Sequence, residues 1–160
     1  MLYQNVTHSD QAGFPASPGP QDCDNPCKTL PFKGKTAADQ ATLTGWMHQE
    51  TGLAMYDSKL WAADVDDDFS MIMPFASKPI TKADRIAAIN KQKAANLPTP
   101  PSPMVALKMY DFGDGALEVA ETQLYHGQRQ RVIYVWHKRD GQWKLIVTYG
   151  TPIDSSPVKP

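Results

Sequence analysis

The sequence predicts an α+β domain, with helices packed on one face of a mainly antiparallel sheet. Three observations carry this. Apolar residues recur at helical spacing from Ala37 to Tyr56 and again from Lys82 to Ala95. From Val105 onward the pattern changes to strands, roughly Val105–Phe112, Ala116–Tyr125, Arg131–Lys138 and Gln142–Thr151. Asp140-Gly141 is a strong two-residue hairpin turn between the last two of these. Helices first and strands after them is the order of a segregated α+β fold.

The elements follow in turn. Residues 1–35 form a proline-rich arm, with Pro15, Pro18, Pro20, Pro26 and Pro31 among Ser, Gly, Asp and Gln. Such a stretch favours extended or turn conformations and builds no core alone. Leu30, Pro31 and Phe32 are its natural apolar anchors. The domain proper is expected over residues 36–155, with a short tail at 156–160. Thr36 caps the first helix, and Asp39 suits its positive end. Leu43, Trp46, Met47, Leu53 and Ala54 share one stripe, with Glu50 among them. Asp57 or Ser58 caps a short second helix carrying Leu60, Trp61 and Val65. The Asp66-Asp67-Asp68 run reads as a solvated connection into an alternating strand, Phe69–Met73, which Pro74 stops. Thr81 caps the third helix, with Ile86, Ala87 and Ile89 on its apolar side.

Bulk properties exclude several classes. The chain has 160 residues, 41% hydrophobic and 21% charged, with a net charge of −1. That is enough chain to bury a core without metals or several disulfides, and no overall field recruits nucleic acid or an anionic surface. No apolar run approaches the roughly 20 residues needed to span a bilayer. The first ten residues lack the basic start and apolar stretch of a secretion signal. A cytoplasmic protein and an exported one whose signal is absent from this sequence both fit. Cys23 and Cys27, the only cysteines, are one residue too far apart for a thioredoxin-type motif. They can form a local disulfide or stay free, as the compartment dictates. No cofactor is expected. No His, Cys or acidic set has metal-ligand spacing, and there is no phosphate loop, nucleophile elbow or basic–aromatic stripe.

Several local patterns then coincide. The long helix ends at Tyr56-Asp57 before Leu60-Trp61. Asp67-Asp68-Phe69 enters the first strand, and Thr81-Lys82-Ala83-Asp84 opens the third helix. Val135-Trp136 runs through Asp140-Gly141 to Trp143, followed by Thr151-Pro152-Ile153. In this order they resemble the nuclear-transport-factor-2-like superfamily over about Thr36 to Ile153. More narrowly, they resemble its small bacterial domains of unassigned function, of the ketosteroid-isomerase-like and polyketide-cyclase-like kinds. The resemblance implies a cone-shaped half-barrel, a strongly curved sheet wrapped around three helices.

A two-residue turn puts Arg139 opposite Gln142, and strict alternation then sorts the hairpin into two faces. One carries Val132, Tyr134, Trp136, Trp143, Leu145, Val147 and Tyr149. The other carries Ile133, Val135, His137, Ile146 and Thr148. Both are largely apolar, so each needs a cover. The resemblance places Ile133, Val135, Ile146 and Thr148 inside the cone, with Phe69, Met71 and Met73 from the first strand and Trp61 closing the wall. The aromatic face is then outside, where a second copy of the chain would cover it. The same inner residues also read as plain core.

The isomerase chemistry of the resembling family can be tested position by position. Its base stands before the proline at the end of the first strand, where this chain has Met73. Its acidic oxyanion donor matches Ile133. Its helix tyrosine has only Gln49 or Glu50 nearby. Proton abstraction beside a carbonyl needs both a base and an oxyanion donor, so steroid-type isomerisation is not expected. Glu50, Glu121 and His137 remain as candidate acid–base groups, since a carboxylate in an apolar cavity has a raised pKa. Three functions follow: a domain binding a small apolar or amphipathic molecule in the cone, a non-catalytic dimerisation or association module, or an exported protein of the same fold stapled by Cys23–Cys27.

Overall fold

The structure, a computed structural model, describes residues 7–10, 35–74, 76–96, 104–123 and 129–153. Cys23, Cys27, Leu30, Pro31, Phe32 and the tail at 156–160 lie outside them. The elements are β1 (Thr7–Asp10), α1 (Ala37–Ala54), α2 (Ser58–Ala62), β2 (Val65–Ile72), β3 (Ile80–Thr81), α3 (Lys82–Ala94), β4 (Met104–Asp111), β5 (Gly115–Gln123), β6 (Arg129–Arg139) and β7 (Gln142–Pro152). They form one open sheet in the order β1-β4-β5-β6-β7-β2-β3. Every neighbouring pair is antiparallel except β2 and β7, which run parallel.

Local chemistry sets the helix starts. The Thr36 hydroxyl accepts from the Asp39 amide, and the Asp39 carboxylate accepts from the Thr36 amide. Thr81 and Asp84 form the same reciprocal box at α3. Each box satisfies two amides that a helix start leaves without partners. Asp57 caps α2 by accepting from Lys59 and Leu60. Asp140 and Gly141 both take positive φ, 52° and 78°, the geometry that matches a hairpin's twist.

The Asp66–Asp68 run is not a connection but the first part of β2. Each carboxylate meets a different environment. Asp66 turns inward beside His137 and Arg139, Asp67 pairs with Lys82 at 2.9 Å, and Asp68 is exposed. With these partners an acidic run can lie in a strand.

The predicted hairpin faces are corrected at one point. Arg139 stands opposite Gln142 and Trp136 opposite Leu145, as two-residue closure requires. Beyond that pair a β-bulge intervenes, so Val135 faces Val147, Tyr134 faces Thr148 and Ile133 faces Tyr149. A bulge inserts one residue, here Ile146, and breaks strict alternation. It brings Leu145 and Thr148 to one face although they are three apart.

That face is the one the helices cover, so inside and outside are exchanged along β6. Tyr134, Trp136 and Leu145 are 7%, 1% and 0% exposed and belong to the core. The Trp46 indole of α1 donates to Tyr134 Oη at 3.2 Å. Trp143 packs half-buried against the core. Ile133, Val135 and Val147 are half-buried on the far face, with Tyr149 40% exposed beside them. The core also takes Leu43, Trp61, Val65, Phe69, Ile89 and Leu107. Trp61 meets Phe69 edge-on, with ring centroids 5.7 Å apart, a favoured aromatic geometry.

Two glycines let α1 come this close. A Cβ at Gly45 would stand 2.6 and 2.8 Å from the Trp136 ring, and one at Gly52 would stand 2.5 Å from the Trp61 backbone nitrogen. In an open helix, glycine to alanine gains about 1 kcal/mol. Here overpacking, which costs about 1–3 kcal/mol, reverses the sign. Gly45→Ala is expected to lower stability in urea denaturation. Gly52→Ala should lower it further, because backbone cannot swing aside as a ring can. A gain in either variant would show that the helix is not seated as described.

Candidate functional site

The helix-covered face of the sheet carries a polar row within its apolar core. The register sets Met109 opposite Glu118, Glu118 opposite Tyr134, Tyr134 opposite Thr148, and Thr148 opposite Met71. Glu118 is 0% exposed, with Ala116 and Ala120 on either side of it on the same face of β5, at 4% and 0%. Trp136 Nε1 donates to Glu118 Oε2 at 3.0 Å. The Thr42 hydroxyl of α1 stands near the carboxylate, but its proton is also claimed by the Asp39 carbonyl at 3.1 Å. Glu118 Oε1 has no hydrogen-bond partner among the described residues.

Burial pushes the Glu118 carboxyl up to about 7, with the charge of Asp39 adding to the rise and the Thr42 and Trp136 contacts opposing it. A carboxyl at that value can give or take a proton near neutral pH.

Three more buried atoms share this lack of partners among the described residues: Gln49 Nε2 on α1, Arg85 Nε on α3 and Thr122 Oγ1 on β5. Gln49 is 6% and Thr122 2% exposed. Thr122 lies on the same face of β5 as Glu118. Arg85 lies one helical turn before Ile89, on the same side of α3, and Ile89 is 0% exposed. Glu50, on α1, is pushed up to about 7 by burial, partly offset by the positive charge of Arg85. Burial in turn lowers the Arg85 pKa, opposed by Glu50.

The residues expected from sequence separate into groups. Trp61, Phe69 and Thr148 are buried under the helices, and Met71 is half-buried against the same core. Met73 is half-buried, with its sulfur 3.2 Å from where a Cβ on Gly150 would lie. Ile133 and Val135 are on the opposite face, because Tyr134 and Trp136 take the inward positions. Ile146 is the bulge residue and half-buried. Glu50 is half-buried on α1. Glu121 lies on the opposite face of β5 from Glu118. It stands opposite Arg131 and is held by Arg129 and by Arg131, the latter at 2.9 Å. The inward positions beside it are Ala120 and Thr122.

His137 lies at the hairpin end of β6, with Nε2 2.8 Å from Asp66 Oδ2. Burial raises the Asp66 pKa. The Asp68 amide, His137 and Arg139 outweigh that and leave it below the ordinary value. A second such pair joins His48 Nδ1 to Asp64 Oδ2 at 2.6 Å. Among the described residues, no group of three or more His, Cys, Asp or Glu could hold a metal ion. No described helix is long and apolar enough to cross a membrane.

Described residues outside the core form open grooves. One of about 670 Å³ runs between α1 and the β6–β7 hairpin, past Ala41, Gly45, Asp64 and Trp143. One of about 230 Å³ lies beside Asp66, Lys82, Arg139 and Lys144.

Glu118 was the residue missed from sequence. The available signal was its period-two company, Ala116, Ala120 and Thr122, which marks a face of small or neutral residues. The charged Glu121 and Arg131 fall on the other face.

No family model matches the sequence, and no curated protein matches it. Solved structures do. A protein of unknown function from Pseudomonas putida superposes with a TM-score of 0.62 at 18% identity, over 80% of this chain and all of that one. A candidate ketosteroid isomerase from Parabacteroides distasonis gives 0.56 at 16% identity, over 83% of this chain and 98% of the other. A candidate calcium/calmodulin-dependent protein kinase II association domain from Xanthomonas campestris also gives 0.56 at 16%, over 80% and 94%. The fold is NTF2-like. Some of the matching proteins carry that name, and others are said to have a cystatin-like fold. At these identities the likeness extends to the fold. In this NTF2-like chain, Met73 is the residue before Pro74 and Ile133 faces away from the helices, so neither supplies an acid or base to the interior.

Burial of Glu118 has a measurable consequence. Its folded pKa of about 7 lies above the ordinary 4.5, so between those values the folded state holds more protons than the unfolded chain. Stability therefore falls as pH rises through that window, by an amount on the order of 3 kcal/mol for the carboxyl. Glu50 adds to the same slope. Glu118→Gln should flatten the fall in urea-denaturation stability between pH 5 and pH 8. An unchanged slope would rule out Glu118 as a titrating group.

Proposed function

We propose that the protein binds a small amphipathic molecule in the space between α1, α3 and the helix-covered face of the sheet, with Glu118 meeting a polar group of the ligand. The observation that carries this reading is the set of buried polar atoms without hydrogen-bond partners among the described residues: Glu118 Oε1, Thr122 Oγ1, Gln49 Nε2 and Arg85 Nε. Each such atom costs about 1–3 kcal/mol if nothing bonds to it. Four on inward-facing positions of three elements are hard to reconcile with a site whose only task is packing. The apolar wall beside them, from Phe69, Met71 and Trp61, suits the rest of an amphipathic ligand. Whether chemistry follows binding depends on the ligand, and Glu118 is the group placed to move a proton.

Thermal-shift measurement with a panel of amphipathic compounds tests this. A ligand present at about 100 times its dissociation constant stabilises the folded state by about 2.7 kcal/mol. The wild type should melt several degrees higher with a binder, and Met73→Trp, which fills the interior, should not respond. Equal shifts in both proteins, or none in either across the panel, would defeat the reading.

A second reading, self-association, is favoured by the far face of the sheet. Ile72 and Tyr149 are 41% and 40% exposed there, beside half-buried Val119, Ile133, Val135 and Val147. A contiguous apolar face of this kind is uncommon on a monomer, and one protein of the same fold is named for association. A homodimer through this face is expected in sedimentation velocity. Ile133→Lys should dissociate it without unfolding, since Ile133 lies outside the core. A wild type that sediments as a monomer at all concentrations would remove this reading.

A further inference from the structure

The groove of about 670 Å³ between α1 and the β6–β7 hairpin gathers side chains from separate parts of the chain. Trp143 of β7 borders it and packs half-buried against the core. Gln40 and Thr44 come from α1, Asp64 from the link before β2, and Gln142 and Lys144 from β7. The fold already fixes several of them. Asp64 Oδ2 is held by His48 Nδ1 at 2.6 Å. The Lys144 ammonium donates to the Ala63 carbonyl at 2.7 Å, and the Thr44 hydroxyl donates to the Gln40 carbonyl at 2.8 Å. Among the described residues, no hydrogen bond reaches Asp64 Oδ1, the Trp143 indole nitrogen or either glutamine amide. The Asp64 side chain is 28% exposed, so its second oxygen is open to a ligand.

We propose that this groove is a binding site separate from the interior, and that it takes a neutral sugar. The chemistry of the lining selects that class. A carboxylate only accepts, an ammonium and an indole N–H only donate, and an amide does both. The ligand must therefore carry donors and acceptors together, with an apolar face for Trp143. A pyranose ring has this form. Each hydroxyl both donates and accepts, and the axial C–H groups pack on an aromatic ring. The charged side chains lining the groove, Asp64 and Lys144, are of opposite sign, so a neutral ligand is favoured. A fatty chain would desolvate both without giving either a partner. The volume falls in the range of small-molecule sites. Because His48 and Ala63 already hold Asp64 and Lys144, binding loses little side-chain freedom there.

The Trp143 indole N–H gives a direct readout. Trp46 and Trp136 donate to Tyr134 and Glu118, and Trp61 is 2% exposed. In a proton–nitrogen correlation spectrum of the full chain, the Trp143 signal is assigned by its loss in Trp143→Phe. It should move on titration with at least one of maltose, cellobiose, lactose and diacetylchitobiose, saturating at about millimolar concentration. The remaining indole signals should stay in place. Sorbitol, which has hydroxyls but no ring, should bind at least about tenfold more weakly. Ala37→Trp fills the groove from an exposed position, so it should abolish the shift without touching the core. A folded Met73→Trp, with its interior filled, should bind the sugar as the wild type does, which separates this site from the interior one. No shift with any of the disaccharides overturns the proposal. So does binding that survives Ala37→Trp, that is lost in folded Met73→Trp, or that treats sorbitol and disaccharide alike.

Discussion

The seat of Trp136 between α1 and the sheet fixes much of the remaining geometry. Its ring lies against Gly45, so the helix must approach with no side chain at that position. Its indole nitrogen is bonded to Glu118 on the neighbouring strand. The ring thus ties β6 to β5 below and to α1 above. Because Trp136 points inward, Tyr134 does too, and Tyr134 receives its hydrogen bond from Trp46, the residue after Gly45 on the helix. The helix axis, the inner face of β6 and the placement of the buried carboxylate are therefore linked. Changing any one of them would move the other two.

The link from α2 to β2 is the second constraint, and its role is to hold the hairpin end of the sheet. The Ala63 carbonyl accepts from Lys144, the Asp64 carbonyl from the Leu145 amide, and the Val65 carbonyl from Lys82. The Asp64 side chain reaches back to His48 on α1, and Asp66 reaches across to His137 on β6. Helix, link and hairpin are tied through five consecutive residues, Ala63 to Asp67. Much of this is polar and partly open to solvent, where an individual pair contributes little. Its effect is to set direction: it makes β2 run parallel to β7 and keeps the open grooves outside the interior. The His137–Asp66 pair therefore reads as a structural tie.

Most of the fold was legible because its signals are local. Thr36 with Asp39, Thr81 with Asp84, and Asp140-Gly141 mark their boundaries through interactions within a few residues. The predicted strands of the sheet differ from the observed ones by only a few residues at their ends. The faces of the last hairpin were not legible. A single bulge near Ile146 breaks the alternation on which the assignment depended, and nothing in Leu145-Ile146-Val147, all apolar and two of the three β-branched, marks where it falls. The Asp66–Asp68 strand was missed for a related reason. Its partners, His137, Arg139 and Lys82, are distant in sequence, and without them three carboxylates read as solvated. Glu121 is the candidate the sequence offers on this strand, because the loop before β6 leaves the register open. The pairing with β6 then put Arg131 opposite Glu121 and Tyr134 opposite Glu118.

The exchange of faces changes the chemistry of the interior as well as its membership. With Ile133, Val135 and Ile146 lining it, the interior would be almost wholly apolar, and a ligand would be held by burial alone. With Glu118, Tyr134, Thr148 and Thr122 there instead, it has directional groups along one side and Phe69, Trp61 and Met71 along the other. Burial, which raises the Glu118 pKa, also makes any hydrogen bond to it stronger than the same bond in water. An isomerase of this fold needs a base and an oxyanion donor at two set places, and here those places hold Met73 and Ile133. The fully buried glutamate of this interior, Glu118, lies on β5, opposite Tyr134 and hydrogen-bonded to Trp136. Any reaction it served would have to present its reacting atom to the middle of the sheet and not to the end of β2.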